Sequence, residues 1–109
     1  MHKPRKRFGQ HYLTDDSILE RMVRAIDPRD DEILVEIGPG TGILTDQLVS
    51  RCGHLYAIEL DRDLAPKLAN LYPDDAFSVI QGDVLDVDFT NLISTGLQDE
   101  QIRVVGNLP

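Results

Sequence analysis

The chain has 109 residues, of which 41% are hydrophobic, and this size is typical of one domain with a modest core. Eleven Lys and Arg against 19 Asp and Glu give a net charge of −8, which disfavours general binding to polyanions. Cys52 is the only cysteine, so an internal disulfide is excluded, and no apolar stretch approaches the ~20 residues that cross a bilayer. With no recognisable signal peptide, we expect a cytoplasmic protein that makes no membrane contact.

The first 13 residues form a basic arm, which contains Lys3, Arg5, Lys6 and Arg7 and no carboxylate. Such an arm can hold a polyanion locally even when the whole chain is acidic. A short basic terminus taken alone is more often a solvated tail. We therefore divide the chain into the arm, 1–13, and a folded part, 14–109.

The start of the folded part has the pattern of an amphipathic helix over 14–27. Thr14 and the pair Asp15 and Asp16 are favourable at a helix start, and Pro28 ends the helix. Apolar residues recur at helical spacing and predict one buried face: Ile18, Leu19, Met22, Val23 and Ile26.

Strands and helices alternate through the rest of the chain. Short apolar runs predict strands at 32–38, 54–60, 76–83 and 101–107. Helices are predicted at 42–53, at 62–72 and within 88–97. The first of these would end at Gly53 as a left-handed cap, and Pro66 is tolerated in the first turn of the second. The alternation predicts an α/β fold with a parallel sheet flanked by helices, in which ligands bind at the carboxyl ends of the strands.

A glycine-rich turn follows the first predicted strand, with the pattern E-x-G-x-G-x-G from Glu36 to Gly42. Glycines at Gly38 and Gly40 would let a ligand approach the backbone closely. Pro39 has no N–H to donate, and the Glu36 carboxylate would repel a phosphate. The same carboxylate favours a ligand with an ammonium or sulfonium group, and S-adenosylmethionine (AdoMet) carries both. The alternative is a tight strand–helix turn that binds no ligand.

Acidic residues follow the second and third predicted strands. Glu59 lies 21 positions after Gly38, the separation at which an acid holds ribose hydroxyls in this fold class. Asp83 could accept a hydrogen bond from the amine of an adenine, with Val84 and Leu85 offering an apolar surface to the ring. The alternatives are a solvated acid for Glu59 and an Asx-turn or helix cap for Asp83.

The fourth predicted strand is followed by Asn107, Leu108 and Pro109, the last three residues. The Asn107 amide and the nearby carbonyls could accept hydrogen bonds from an amine that is about to be alkylated, although Asn and Pro are also common in ordinary turns. Other chemistries are poorly supported, because the three histidines are scattered and Cys52 with His54 lacks a metal-site spacing. We expect no metal, and neither a nucleophile motif nor a P-loop is present.

Five stretches together resemble the successive motifs of the KsgA-type ribosomal RNA adenine dimethyltransferases: "RKRFGQHYL", "EIGPGTGILT", "IELDRDL", "QGDVL" and "VVGNLP". The resemblance spans nearly the whole chain. It implies the Rossmann-like fold of AdoMet-dependent methyltransferases and N6-dimethylation of two adjacent adenines in the terminal hairpin of small-subunit ribosomal RNA. The partner would be the immature small ribosomal subunit.

The resemblance also implies roles for individual residues. His11 and Leu13 would close over the cofactor, although the family more often has Asn where His11 stands. Gly38 would contact the methionine end of the cofactor, Glu59 the ribose, Asp83 the adenine amine, and Asn107 the reacting centre. The basic arm would contact RNA phosphates.

In this family an aromatic residue, usually Tyr, follows the Asn-Leu-Pro motif and stacks on the target adenine. The chain ends before that residue, so we expect a fragment truncated after the fourth strand and inactive by itself. Its last strand would be an exposed edge that promotes pairing between chains, whereas the full-length protein would be a monomer.

Three other functions remain open. Erythromycin-resistance-type methyltransferases of large-subunit ribosomal RNA usually resemble "IGAGKGHFT" and "GNIP", where this chain has "IGPGTGILT" and "GNLP". A non-catalytic nucleic-acid-binding relative, such as a mitochondrial transcription factor of this fold, would not need the polar groups at all four strand ends. A small-molecule methyltransferase would not need the basic arm.

Overall fold

The computed structural model of the protein describes residues 16–88 and 102–106, and it contains a four-stranded parallel sheet. Its strands are β1 (Ile33–Ile37), β2 (His54–Glu59), β3 (Phe77–Gln81) and β4 (Ile102–Gly106). They lie in the order β3-β2-β1-β4, so β1 and β2 are central. The predicted α/β fold with a parallel sheet is confirmed.

The helices are α1 (Asp16–Ile26), α2 (Ile43–Leu48) and α3 (Leu64–Ala69), with a short 3₁₀ helix at Val84–Asp86. The predicted apolar face of α1 is confirmed, because Leu19 is buried and Met22, Val23 and Ile26 pack against the core. Pro66 lies in the first turn of α3, where its missing N–H has no helical partner to lose.

The core lies between the helices and one face of the sheet. Leu34, Leu55 and Phe77 occupy matching positions on three neighbouring strands and are buried against α2 and α3. Residues 33–36 of β1 are buried without alternation, as predicted for a strand covered on both faces.

The predicted end of α2 is wrong. The helix ends at Leu48 rather than Gly53, and Gly53 does not have a positive φ. A Cβ at Gly53 would lie 2.9 Å from the carbonyl oxygen of Asp30, and the Gly53 N–H donates to the carbonyl of Glu32 at 2.8 Å. Glycine is therefore needed for close backbone approach, while the left-handed position is at Asp27 after α1, with φ +50°.

Other predicted elements are shorter in the structure. β3 ends at Gln81, so Gly82 and Asp83 follow the strand rather than belong to it. The helix predicted within 88–97 lies, from residue 89 onward, outside the described residues, as does the boundary between the arm and the folded part. Within the described residues β4 pairs with β1 alone, and Val104 is half-exposed on this edge strand.

Candidate functional site

The carboxyl ends of the three strands β1, β2 and β3 lie side by side, and hydrogen bonds continue their pairing into the loops. The Gly38 N–H donates to the carbonyl of Ile58 at 2.9 Å, and the Gly82 N–H donates to the carbonyl of Glu59 at 2.9 Å. Adjacent strands are about 4.8 Å apart. The fold therefore brings Gly38, Glu59 and Asp83 to one edge of the sheet.

The glycine turn between β1 and α2 depends on backbone angles that other residues rarely adopt. Gly38, Gly40 and Gly42 have φ of +67°, +60° and +90°, all in the left-handed region. No atom of the described residues lies within 4 Å of the position that a Cβ at Gly38 would take. The repeated glycines are thus explained by the backbone, and the space at Gly38 allows a ligand to approach it.

Glu59 at the end of β2 is held against this turn. Its side chain accepts hydrogen bonds from the N–H of Gly40 at 3.2 Å and from the N–H of Asp61 at 2.9 Å, one on each carboxylate oxygen. Only 6% of Glu59 is exposed, so these two N–H donors hold a buried carboxyl group. Each oxygen keeps a lone pair for a further donor. Glu59 also fixes the turn, a contact that its position in the sequence did not indicate.

Glu36 in β1 is buried on the same face of the sheet, with 2% of its surface exposed. Thr45 of α2 donates to its Oε1 at 2.6 Å, and within the described residues its Oε2 has no hydrogen-bond partner. Burial raises the pKa of Glu36 to about 7, the Thr45 hydrogen bond opposes this increase, and the negative charge of Glu59 adds to it. Sequence reasoning missed Thr45, whose only signal was a polar residue on the buried side of α2.

Asp83 is exposed after β3 and caps the short 3₁₀ helix, because its Oδ1 accepts from the N–H of Leu85 at 2.9 Å. The helix-cap alternative for Asp83 is therefore observed, and within the described residues its second oxygen makes no hydrogen bond. Leu85 and Leu60 are 87% and 66% exposed, so two apolar side chains lie at this edge. Leu60 was missed from the sequence, although an apolar residue between two acids at a strand end was a usable signal.

The remaining predicted site residues lie outside the described part of the chain: Lys3, Arg5, Lys6, Arg7, His11, Leu13, Asn107, Leu108 and Pro109. Gly106, which precedes Asn107, lies opposite Ile37, the residue before the glycine turn. The end of β4 is thus beside that turn.

Residues 16–88 and 102–106 contain no group of three or more His, Cys, Asp or Glu placed to hold a metal ion. No helix in this part of the chain is long and apolar enough to cross a membrane.

One protein family matches the whole chain, and curated relatives match nearly all of it. The family described as ribosomal RNA adenine dimethylase matches residues 1–109. Ribosomal RNA small subunit methyltransferase A of Leptothrix cholodnii is 54% identical over 108 residues, which are 99% of this chain and 38% of the relative. The chain spans about two-fifths of the length of the curated relatives that it matches.

Two solved structures have the same fold. The crystal structure of 23S rRNA methyltransferase ErmE matches with a TM-score of 0.61 and 28% identity, over 68% of this chain and 31% of that one. A dimethyladenosine transferase from Plasmodium falciparum matches with a TM-score of 0.66 and 24% identity, over 87% of this chain and 32% of that one. The Rossmann-like methyltransferase fold predicted from the sequence is confirmed.

Proposed function

Because the chain belongs to the ribosomal RNA adenine dimethylase family, we propose that the protein carrying it dimethylates two adjacent adenines at N6 in the terminal hairpin of small-subunit ribosomal RNA. AdoMet is the methyl donor, and the reaction takes place in the cytoplasm on the immature small subunit. The observation that carries this proposal is the convergence of Gly38, Glu59 and Asp83 on one edge of the sheet.

When bound, AdoMet supplies a methyl group on a positively charged sulfur. The residues at the carboxyl edge of the sheet match the separate parts of this cofactor. Gly38 has open space for the methionine end, and Glu59 has lone pairs for the two ribose hydroxyls. Asp83 accepts from the adenine amine with its remaining oxygen. Leu60 and Leu85 provide apolar surface for the adenine ring. When the ring binds there, it removes these two exposed side chains from water.

The acceptor end of the site belongs to residues outside the described part of the chain. Asn107 and the carbonyl groups of Leu108 and Pro109 accept hydrogen bonds from the N6 amine and direct its lone pair at the methyl group. Since the donor is already a strong electrophile, no strong base is needed. Orientation is the main contribution, and it can supply about 7–11 kcal/mol.

The basic arm, 1–13, is proposed to contact both the cofactor and the RNA. His11 and Leu13 close over the cofactor, and the basic arm, 1–13, contacts RNA phosphates without reading sequence. Residues 14–109 then form part of the cofactor domain. We expect the full-length protein to be a monomer.

A methyl-transfer assay tests the proposal against its closest alternative. The full-length protein, meaning the chain extended to the length of its relatives, is incubated with radiolabelled AdoMet and either immature small subunits or large-subunit RNA. We expect dimethyladenosine in the small-subunit RNA only. Labelling of the large-subunit RNA alone would instead support the activity named for ErmE. Binding of AdoMet with no transfer to either substrate would support a non-catalytic relative.

The 109-residue chain by itself provides a second arm of the same assay. It should bind AdoMet, because Gly38, Glu59 and Asp83 are present, but transfer no methyl group. A misplacement of ~1 Å can already lower a rate about a hundredfold, and here the aromatic residue that positions the adenine is missing. Methyl transfer by the 109-residue chain would contradict this assignment of the acceptor site.

A further inference from the structure

Glu36 is a buried carboxylic acid that is only partly satisfied. It is 2% exposed, accepts one hydrogen bond from Thr45 at 2.6 Å, and has no partner for Oε2 among the described residues. No Lys or Arg in 16–88 or 102–106 makes an ion pair with it. An ionised carboxylate in this position lacks the compensation that buried charges normally have.

Within residues 16–88 and 102–106, the other groups near Glu36 do not supply a positive charge. From β2 comes Glu59, which is itself ionisable and negative when charged. From α2 comes the neutral hydroxyl of Thr45, and Asp46 of the same helix accepts a hydrogen bond from Tyr72 at 2.8 Å. Burial and the hydrogen bond to Asp46 raise the pKa of the Tyr72 phenol, which lies beyond α3, to about 12, and the charges of Asp46 and Glu36 add to this increase. Among the described residues, the groups near Glu36 are therefore neutral or acidic. Burial and the charge of Glu59 favour its protonated form, and the Thr45 hydrogen bond opposes them.

We propose that Glu36 holds a proton in the cofactor-free protein and releases it to solvent when the positively charged methionine end of AdoMet binds at the glycine turn. Glu36 precedes Gly38 by two residues in the same strand and turn. A positive charge within about 4–6 Å favours an ionised carboxylate, and AdoMet brings both a sulfonium and an ammonium group. The proposal rests on the proposed function, since it takes AdoMet as the ligand.

Release of the Glu36 proton makes the affinity for AdoMet depend on pH. Because the ionised form binds the cation better, affinity for AdoMet rises with pH until Glu36 is ionised in the free protein. Burial places the pKa of Glu36 at about 7 in the free protein. Below that pH, linkage to one proton changes the dissociation constant by up to about tenfold per pH unit.

Calorimetry of the full-length protein tests the proposal directly. AdoMet is titrated into the wild type and Glu36→Gln from pH 5.5 to 8, in two buffers of different ionisation enthalpy, so that released protons are counted. We expect the wild type to release more protons than Glu36→Gln near pH 6.5, and only the wild type to bind more tightly as pH rises to 7. Ionisation of the AdoMet amine, with a pKa of about 7.7–8.0, affects both proteins equally and cancels in the difference.

Two controls separate this effect from others. S-adenosylhomocysteine lacks the sulfonium charge and should release a smaller fraction of a proton from the wild type. Thr45→Val removes the donor that favours ionised Glu36 and should move proton release to higher pH, whereas Thr45→Ser keeps the donor and should not.

The outcomes are distinguishable. Equal proton release by the wild type and Glu36→Gln, with both binding AdoMet, would overturn this proposal and leave the proposed function intact. Failure of the wild type to bind AdoMet would overturn the cofactor assignment itself. If Glu36→Gln does not fold, a carbon-13 NMR titration of the Glu36 carboxyl in the wild type decides. We expect a titration near pH 7 that moves to lower pH with AdoMet, and an unchanged titration would contradict the proposal.

Discussion

Glu32, directly before β1, and Glu36, near the carboxyl end of β1, are both buried, but their surroundings act on their charges in opposite ways. They are 4% and 2% exposed. Arg103 of β4 donates to both oxygens of Glu32, at 2.8 and 2.7 Å, and the Arg29 N–H adds a bond of 2.8 Å. Among the described residues, only the Thr45 hydroxyl donates a hydrogen bond to Glu36.

The pKa values of the two carboxyls follow these surroundings. The hydrogen bond from Arg103 lowers the pKa of Glu32, against the opposing effect of burial. Burial raises the pKa of Glu36 to about 7. At the amino end of β1 the charge is fully paired and links β4 to β1. At the carboxyl end no Lys or Arg of the described residues compensates the charge of Glu36, which lies beside the turn where we propose that a cationic ligand binds.

The largest expected effect is on the pH dependence of stability. The pKa of Glu36 rises from 4.5 to about 7 on folding, so the folded state binds more protons than the unfolded state in this window, and stability falls as pH rises through it. Glu36→Gln should remove this fall and be more stable than the wild type at pH 8 by on the order of 3 kcal/mol. Urea unfolding of both full-length proteins from pH 4 to 8 measures the difference.

Glu32 provides the contrast in the same experiment. Its pKa is lowered below 4.5, so its contribution is present above pH 4.5 and is lost as pH falls through the folded-state pKa. The pH profile between 5 and 8 should therefore respond to Glu36 and not to Glu32. If the difference in free energy of unfolding between the wild type and Glu36→Gln did not change over this pH range, the distinction between Glu32 and Glu36 would be contradicted.

A smaller effect on stability is expected from removing the ion pair between Arg103 and Glu32. Arg103→Met leaves Glu32 buried without its partner and should lower the free energy of unfolding by about 2 kcal/mol. This is less than for a fully buried pair, because the Arg103 side chain is 39% exposed and water screens it. Arg24→Met is the control, since its contact with Glu20 is 3.9 Å and exposed, and should change stability by less than about 0.5 kcal/mol. Equal losses in the two variants would show that Arg103 is an ordinary surface residue.

The smallest effect on stability is expected from removing the Thr45 hydroxyl, which donates a hydrogen bond to Glu36. Thr45 is fully buried, and Thr45→Val should destabilise by about 1 kcal/mol at pH 5, where Glu36 is protonated, and by more at pH 8, where the bond is charge-assisted. Thr45→Ser retains the hydroxyl and should show no such increase with pH. Denaturant unfolding at the two pH values measures this. A Thr45→Val loss that does not grow with pH would mean that the bond does not respond to the charge of Glu36.

Sequence patterns predicted the features that depend on the spacing of residues along the chain, namely the apolar face of α1, the parallel strands and the glycine turn. They placed Glu59 at the same sheet edge as the turn, but not its hydrogen bond to Gly40. The contacts of Gly53 and Thr45 could not be predicted, because each depends on which backbone or side chain another element brings near it. Leu60 was missed because the predicted strand, 54–60, included it, whereas β2 ends at Glu59.

The central claim is that the carboxyl edge binds AdoMet through Glu59, and calorimetry of AdoMet with the full-length wild type, Glu59→Gln and Asp63→Asn tests it most directly. Asp63→Asn changes net charge equally, at an exposed residue whose side chain caps nothing. Loss of charge-assisted hydrogen bonds worth about 1.5–3 kcal/mol should weaken binding by Glu59→Gln roughly 10- to 100-fold, with Asp63→Asn like the wild type. Equal affinity of Glu59→Gln and the wild type, with both proteins folded, would contradict the account.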